Sequence, residues 1–337
     1  ISTTLGLAFR LRDPEKLLGG AVDLGITCAL IPTKTKGVVV GLRHDPLGIP
    51  FYNCPTQGHD VEVSVDTIVG GISGAGKGWK MLMECLSAGR GISFPAQSAG
   101  NAQLVTRAVS AHSLIRHQFG VSIGRFEGVQ DSLARLGGFS YILEALRLYT
   151  LSALDQGIKP AVVTAIAKYH STEMARLVAN YGMDIMGGAG ISLGPRNLLG
   201  HPYIAAPVAI TVEGANILTR TLMIFGQGAL RAHPYAFAEV KALEANDASA
   251  FDRAFWGHIG HIVRNGFRSV IHSVTRGWLT GYAFGKGSTA VYYRRLNWIS
   301  ASFAIMADIA MGSLGGKLKI KESITGRFAD ILSYMYI

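Results

Sequence analysis

The sequence has 337 residues, 49% of them hydrophobic and 16% charged, which excludes a disordered chain and predicts a folded protein with a large core. Its net charge of +10 favours phosphate-bearing ligands or an anionic membrane surface, but the basic residues are too scattered for a nucleic-acid-binding stripe. The three cysteines have no CxxC spacing, so we predict a reduced, intracellular protein without a disulfide or metal framework.

Both ends of the chain have patterns typical of the interior of secondary structure elements. The first residues, ISTTLGLAFRL, lack an initiator Met and begin within a strand pattern, and the last residues, ADILSYMYI, stop within a helical pattern. We therefore expect a fragment of a longer protein. The sequence contains no uninterrupted apolar run of 18 residues, so we predict no membrane span.

The chain is predicted to change from strands to helices after residue 72. The runs TLGLAFRL, GITCALIP, GVVVGLRH and VEVSVDTIV are typical of strands separated by Gly, Pro and Asp. Apolar residues then recur at helical spacing from Trp79 to Phe119, with a kink or short break expected at Pro95. Further helices are expected at about 123–155 and 160–182.

The predicted fold class is α+β and predominantly α. We predict three domains: a partial middle β-domain at 1–72, a C-terminal helical domain at 73–235 and a helical extension at 236–337.

The segment GISGAGKG, residues 71–78, nearly matches the phosphate-binding motif G-x-x-x-x-G-K-[ST]. Gly78 stands where a hydroxyl would meet magnesium, and no convincing Walker B strand follows. A glycine-rich hinge between the β-domain and the first helix is therefore favoured over an NTPase loop.

His258 and His261 are three residues apart on a predicted helix and could in principle both contact a metal ion. The spacing fixes no third ligand near them. We predict a packed or solvated helix face and no metal site.

Glu213 is the only carboxylate between Asp184 and Glu239, and the apolar run AAPVAITV precedes it. Apolar surroundings should raise the pKa of its carboxyl toward the range useful for a general base. Gly214 would let a ligand approach the backbone closely. A first-turn acid that complements a helix dipole explains the same pattern equally well.

Two further elements are suited to a phosphate-rich ligand. Gly187, Gly188 and Gly190 precede a turn where their amides could line a pyrophosphate. Arg116 stands three residues before Phe119, which places a cation beside an aromatic ring at a helix end. Each signal is weak by itself, since such loops and helix-end arginines are common.

Taken in order, these elements resemble the acyl-CoA dehydrogenase family over roughly residues 1–235. The resemblance is carried by the joint GAGKGWKML, then LSAGRG, the run RHQFG, the loop MGGAGI and the motif VEGANILTR. The helical stretch after residue 235 is similar to the extension of the long-chain members, especially the bacterial long-chain enzymes. The resemblance implies an acyl-CoA dehydrogenase-like fold, in which part of a β-barrel domain precedes the helical bundle.

The resemblance also implies roles for individual residues. Glu213 would be the catalytic base, and Arg90 and Gly214 would lie at the acyl-CoA site. Some relatives carry the base just before Arg90, where this chain has Gly89, a small residue similar to that of enzymes with deep pockets. FAD would be contacted by Arg116 and Phe119 and by the backbone of Gly187, Gly188 and Gly190, largely across a subunit interface.

This sequence departs from the family pattern at several positions. Asp184 replaces a usual Gln, Ile191 an aromatic residue and Ala215 a Thr, which puts one flavin contact in doubt. The family's N-terminal helical domain and its flavin-contacting strand are not in the sequence. Half of the flavin site would therefore lie outside it.

The implied function is FAD-dependent α,β-dehydrogenation of long-chain acyl-CoA to trans-2-enoyl-CoA, the first step of β-oxidation. The expected protein is a homodimer or homotetramer with electron-transferring flavoprotein as acceptor and no nucleic-acid partner. It is expected in the cytoplasm or peripherally at the inner membrane. The alternatives are an acyl-CoA oxidase of the same fold and a non-catalytic helical scaffold or membrane-docking protein.

Overall fold

The structure, a computed structural model, describes residues 2–49, 53–158, 160–280 and 287–337. Within these residues, the strands pair as β1 (Thr4–Arg12) with β2 (Asp23–Pro32), β3 (Val38–Val40) with β4 (Thr56–Gly58), and β5 (His117–Gln118) with β6 (Val121–Ser122), all antiparallel. The helices are α1 (Gly78–Ala88), α2 (Phe94–Ile115), α3 (Glu127–Asp155), α4 (Ala161–Met186), α5 (Gly188–Ile191), α6 (Gly200–Thr211), α7 (Asn216–Leu218), α8 (Gly228–Ala232), α9 (Ala236–Glu244), α10 (Ala248–Thr275), α11 (Ala290–Leu314) and α12 (Glu322–Tyr336). Two π-helical segments, Gly89–Ser93 and Thr219–Gly226, follow α1 and α7. The α+β, predominantly α fold class is confirmed.

The first two predicted strands form the hairpin β1–β2, whose buried face follows the period of two expected for a half-buried strand. Thr27, Ala29 and Ile31 are buried in alternation along β2. The predicted strand VEVSVDTIV is wrong. Its centre, Val65–Thr67, is a 3₁₀ turn that begins at Ser64, and the sequence pattern did not reveal β4.

The glycine-rich joint at 71–78 packs tightly against the hairpin. A Cβ at Gly74 would lie 2.0 Å from the carbonyl oxygen of Val69, and one at Gly76 would lie 2.3 Å from that of Leu24. Gly76 also has a φ of +75°, which few other residues adopt. These glycines let the backbone of the joint approach its neighbours closely and bring α1 against β2; flexibility of the joint stays a prediction.

Helices α2, α3, α4 and α6 form an up-down-up-down bundle. The Lys168 ammonium lies over the Phe94 ring near the start of α2, and Val105 meets Gly182 further along, so α2 and α4 run parallel. Helix α3 returns between them. The α2–α3–α4 core contains Ala99, Ala102, Val105, Val109, Leu136, Leu143, Met174, Val178, Ile185 and Leu199.

The break expected at Pro95 takes the form of a π-helical segment that precedes this residue. The chain leaves α1 through the π-helical segment Gly89–Ser93, and Pro95 lies in the first turn of α2, where its missing N–H costs little. The helices predicted at about 123–155 and 160–182 are confirmed as α3 and α4.

The extension at 236–337 shares a hydrophobic core with the bundle. The rings of Phe225 and Phe328 stack with centroids 4.5 Å apart, and Ala165 and Ile166 of α4 pack in the same cluster as Ala307 of α11. Arg220 and Asp330 add a bidentate ion pair, with nitrogen–oxygen distances of 2.7 and 2.5 Å. Helix α12 is therefore fixed against the segment that follows Glu213.

Helix α11 and its flanking turns, Gly287–Ile320, are long and apolar enough to cross a membrane, with a mean hydropathy of 1.3 over the most apolar window. Polar residues are interspersed along this helix, so it contains no uninterrupted apolar run of 18 residues. Core helices of globular proteins meet the same criterion, so one such helix is weak evidence for a span.

Candidate functional site

Glu213 lies in a tight turn between two helices that are bent by 51° relative to each other. Helix α6 ends at Thr211 and α7 begins at Asn216. Glu213 has a φ of +54° and Gly214 a φ of +108°. A non-glycine residue in this left-handed region is strained, and such strain persists only where surrounding contacts hold it. The turn therefore holds the Glu213 side chain in one defined direction.

The Glu213 carboxylate lies directly against Gly89. A Cβ at residue 89 would come within 2.1 Å of Glu213 Oε2 and 2.3 Å of Oε1. Gly89 begins the first π-helical segment, a feature that often marks functional sites. The space that a side chain at 89 would fill is thus taken by the carboxylate.

Two buried cations flank the Glu213 turn. The Arg90 side chain is 4% exposed, and its Nε donates a hydrogen bond of 2.8 Å to the Glu213 carbonyl oxygen. Burial lowers the pKa of Arg90, and the negative charge of Glu213 opposes that shift. Among the described residues, no group donates a hydrogen bond to the buried Oε2 of Glu213. One carboxylate oxygen is therefore available to a ligand or a proton.

Lys168 of α4 is the second cation, and its residue is 0% exposed. Its Nζ donates hydrogen bonds to the carbonyl oxygens of Gly214 at 2.8 Å and Ile210 at 3.3 Å, and to Asn216 Oδ1 at 2.7 Å. Asn216 in turn donates to Thr172 Oγ1 at 3.0 Å and to the Glu173 carboxylate at 2.8 Å. The sequence analysis missed both Lys168 and Asn216.

The predicted FAD-binding residues lie elsewhere. Arg116 ends α2, and Phe119 lies in the turn between β5 and β6 with a φ of +54°. The Phe119 side chain is 94% exposed, and its ring meets Phe126 edge to face with centroids 6.3 Å apart. An exposed cation thus lies close in sequence to an exposed aromatic ring.

The glycine loop follows the C-terminal end of α4. The Gly187 amide donates to the Met183 carbonyl, and the Gly190 amide donates to the Gly187 carbonyl, so both complete helical turns. Asn197 holds the loop through a 2.6 Å hydrogen bond to the Gly190 carbonyl oxygen. Among the described residues, no atom lies within 4 Å of a Cβ built on Gly188, so the loop surface is open there.

The predicted site residues therefore form two groups at opposite ends of the bundle. Arg90, Glu213 and Gly214 lie near the start of α2, whereas Arg116 lies at its end, together with the Gly187 loop at the end of α4. Helix α2 has 22 residues and is about 33 Å long. A ligand at the Glu213 end is too far away to meet Arg116 of the same chain at close range.

The two histidines considered for a metal lie in a polar cluster at the extension. His258 Nδ1 is 2.8 Å from Glu239 Oε1, and Asp308 Oδ1 is 3.0 Å from His233 Nε2 and 3.7 Å from His258 Nε2. The ligand atoms of His233, His258 and Asp308 are close enough together to hold a metal ion.

The hydrogen bonds of His233 argue against that role. Its Nδ1 accepts hydrogen bonds from the backbone amides of Tyr235 and Ala236, which places the ring hydrogen on Nε2, where a metal would bind. Burial lowers the pKa of His233, and the negative charge of Asp308 opposes that shift. The arrangement is better described as a neutral His233 whose Nε2 lies 3.0 Å from Asp308 Oδ1.

Sequence comparison identifies the family. The acyl-CoA dehydrogenase C-terminal domain matches residues 76–224, and the bacterial-type acyl-CoA dehydrogenase C-terminal domain matches residues 230–337. The chain belongs to the acyl-CoA dehydrogenase family.

Individual relatives match parts of the chain. The protein HemX of Proteus mirabilis is 54% identical over 104 residues, which are 31% of this chain and 61% of that protein. The mitochondrial very long-chain specific acyl-CoA dehydrogenase of Mus musculus is 33% identical over 217 residues, 63% of this chain and 31% of that enzyme. The chain thus spans less than two thirds of each.

The fold comparison agrees with the family. The butyryl-CoA dehydrogenase structure from Megasphaera elsdenii superposes with a TM-score of 0.58 at 25% identity, over 68% of this chain and 57% of that one. Members of the family are FAD flavoproteins. The exposed Phe119 ring, the neighbouring Arg116 and the open surface at Gly188 fit the stacking and phosphate contacts that such a cofactor needs.

Proposed function

We propose that the full-length protein catalyses FAD-dependent α,β-dehydrogenation of fatty acyl-CoA, with Glu213 as the base that removes the α-proton. The observation that carries this proposal is the Glu213 turn. It presents a carboxylate from a strained backbone, against a residue with no side chain, and one buried oxygen of that carboxylate has no hydrogen-bond partner in the described part of the chain.

The two hydrogens that leave the substrate go to different acceptors. The thioester carbonyl acidifies the α-C–H bond, and Glu213 takes the α-proton as the C=C bond forms. FAD, when bound, accepts the hydride from the β-carbon. The products are trans-2-enoyl-CoA, reduced flavin and a protonated Glu213. Arg90 holds the Glu213 carbonyl, which orients the carboxylate toward the α-carbon.

A long acyl chain is the proposed substrate. Gly89 places no side chain beside Glu213, the feature that the resemblance links to enzymes with deep pockets. The Glu213 carboxylate itself takes the space of a side chain at 89, and Thr219 Oγ1 lies 3.2 Å from a Cβ built on Gly214. The match to the very long-chain enzyme covers 63% of this chain, against 49% for the short/branched chain specific enzyme of Bos taurus, which favours the same choice.

The flavin is proposed to lie between subunits. The Glu213 end of one protomer would face the isoalloxazine ring, and Arg116, Phe119 and the loop of Gly187, Gly188 and Gly190 of another would bind the distal part. The length of α2, which separates these groups within one chain, supports this arrangement and a homodimer or homotetramer. Electron-transferring flavoprotein is the proposed acceptor.

The test compares Glu213→Gln with Glu127→Gln, which neutralises an exposed acid in the first turn of α3. Steady-state reduction of a dye by long-chain acyl-CoA is expected to fall at least about a hundredfold in Glu213→Gln, since that is the usual scale of general-base catalysis. FAD content should not change, and Glu127→Gln should retain turnover.

Two outcomes would change the proposal. Normal turnover by Glu213→Gln would reject Glu213 as the base. Stoichiometric hydrogen peroxide from the wild-type enzyme, with no dye or flavoprotein reduction, would identify an oxidase of the same fold instead.

A further inference from the structure

Lys168 occupies an unusual environment for a lysine. It lies in the N-terminal half of α4 with an exposure of 0%, whereas lysine side chains are almost never fully buried unless paired. Among the described residues, its three hydrogen-bond acceptors are two carbonyl oxygens and one amide oxygen, not a carboxylate. An ammonium group has three donors, so these acceptors use its full capacity.

All three acceptors belong to the segment that carries Glu213. Ile210 lies in the last turn of α6, where carbonyl groups lack helical partners and a positive charge is favourable. Gly214 follows Glu213 directly, and Asn216 begins α7. Lys168 thus links the end of one helix to the start of the next across the turn between them.

The turn needs such a link. The φ of +54° at Glu213 is unfavourable for a non-glycine residue, by about 1 to 3 kcal/mol for conformations of this kind. Lys168 holds the chain at positions before and after Glu213, and Arg90 holds the carbonyl of Glu213 itself. Loss of the Lys168 contacts would leave the Arg90 contact and the 3.1 Å hydrogen bond from Thr219 Oγ1 to the Gly214 carbonyl oxygen, and would free the Ile210 carbonyl from Lys168.

The charges around Lys168 come from three elements. Arg90 disfavours the ammonium form, whereas Glu213 and Glu173 favour it, and the Phe94 ring lies 5.6 Å from Nζ. Burial, together with Arg90, lowers the pKa of Lys168 to about 8. The ammonium is therefore kept at this position in spite of its desolvation.

We propose that Lys168 is a positioning residue for the dehydrogenation, which fixes the 210–216 turn so that the Glu213 carboxylate meets the α-carbon. This inference rests on the proposed role of Glu213 as base. Lys168 acts through the backbone and does not touch the reacting atoms.

The test uses the full-length, FAD-loaded enzyme with Lys168→Met, which keeps an unbranched side chain and removes the donors. We expect kcat to fall about ten- to a hundredfold with KM nearly unchanged, because the base is displaced by a fraction of an ångström to an ångström. The isotope effect measured with α,α-dideuterated acyl-CoA should rise, since proton removal becomes more rate-limiting. Lys168→Arg should restore part of kcat.

Asn265→Ala provides a matched control, because Asn265 is a buried polar residue of α10 that bonds within its own helix. It should lower the melting temperature without changing the isotope effect. If Lys168→Met lowers the melting temperature but keeps the wild-type kcat per bound FAD and the wild-type isotope effect, Lys168 is only structural and the inference fails.

If Lys168→Met does not retain FAD, Asn216→Ala replaces it. This variant removes one acceptor and leaves both carbonyl contacts of Lys168, so a smaller fall in kcat with the same rise in isotope effect is expected. An unchanged isotope effect would reject the inference. An active Glu213→Gln enzyme would instead reject the proposed function, so the two failures are distinguishable.

Discussion

The functional groups at one end of the bundle are buried and hydrogen-bonded within this chain, whereas those at the other end are exposed. At the Glu213 end, Arg90 and Lys168 are buried and hydrogen-bonded to the turn they support. At the other end, Phe119 is almost fully exposed, and the surface around Gly188 is open. The first end is preorganised by its own chain, whereas the second presents groups that another molecule would bury.

This difference has a physical basis. A buried carboxylate needs fixed neighbours, because a displacement of about 1 Å is enough to impair proton transfer. A ring that stacks on a cofactor can remain exposed until the cofactor binds, since its burial then contributes to affinity. The comparison therefore predicts that substitutions at the Glu213 end alter catalysis and those at the Phe119 end alter cofactor retention.

After Glu213→Gln, the largest effect is predicted for Gly89→Ala. Its new methyl group would lie 2.1 Å from Glu213 Oε2, so the carboxylate must move. We expect kcat to fall about a hundredfold in the full-length enzyme, with FAD retained.

Gly100→Ala is the matched control on α2, where among the described residues no atom lies within 4 Å of the added carbon. It should stabilise the protein by up to about 1 kcal/mol, because alanine favours a helix over glycine. Wild-type kcat in Gly89→Ala would contradict the geometry assigned to Glu213.

A smaller effect is predicted for Phe119→Ala. Because the ring is 94% exposed, unfolding free energy should change by less than about 0.5 kcal/mol. Loss of stacking should weaken FAD binding about tenfold, measured by flavin release from the full-length enzyme. Tyr141→Ala, which removes a 78% exposed ring from α3, should change neither quantity. Equal FAD affinity in both variants would contradict a cofactor role for Phe119.

A pH-dependent effect on stability alone is predicted for His170, which is buried between Tyr169 and Tyr334. Burial lowers the pKa of His170 from 6.5 to about 4, so between these values the unfolded chain binds a proton that the folded protein does not. Stability from this group is full above pH 6.5 and is lost as the pH falls toward 4, by at most about 1.4 kcal/mol per pH unit.

His170→Phe keeps an aromatic ring and removes the titration. Denaturant unfolding at pH 7 and pH 5 should therefore show a smaller loss of stability on acidification in the variant than in the wild-type protein. Equal losses would mean that His170 is protonated as readily in the folded protein as in the unfolded chain.

Local patterns in the sequence predicted much of the fold, and family resemblance predicted the site. Hairpin β1–β2 and helices α3 and α4 could be predicted because the spacing of apolar residues within each element indicates its type. Glu213 stands out as an isolated acid in an apolar stretch, but only the family resemblance distinguishes a catalytic base from a helix-capping acid there. The segment 61–69 alternates in sequence, but among the described residues its only strand pairing is a single bridge between Ile68 and Ala29, and local patterns do not report the lack of a partner strand.

Lys168 could not be identified in this way. Its segment AIAKYH has the appearance of a helix with one solvated lysine, and its burial depends on residues 42 to 48 positions away. The His233–Asp308 contact likewise joins residues 75 positions apart, so it depends on how the extension packs.

The most direct test of Glu213 as the base is a single turnover in the full-length enzyme. Glu213→Gln, loaded with FAD, would be mixed anaerobically with a saturated long-chain acyl-CoA while the flavin absorbance is followed. The flavin should remain oxidised over many half-times of the wild-type reaction, although the substrate binds. Bleaching of the flavin at the wild-type rate would contradict the assignment of Glu213.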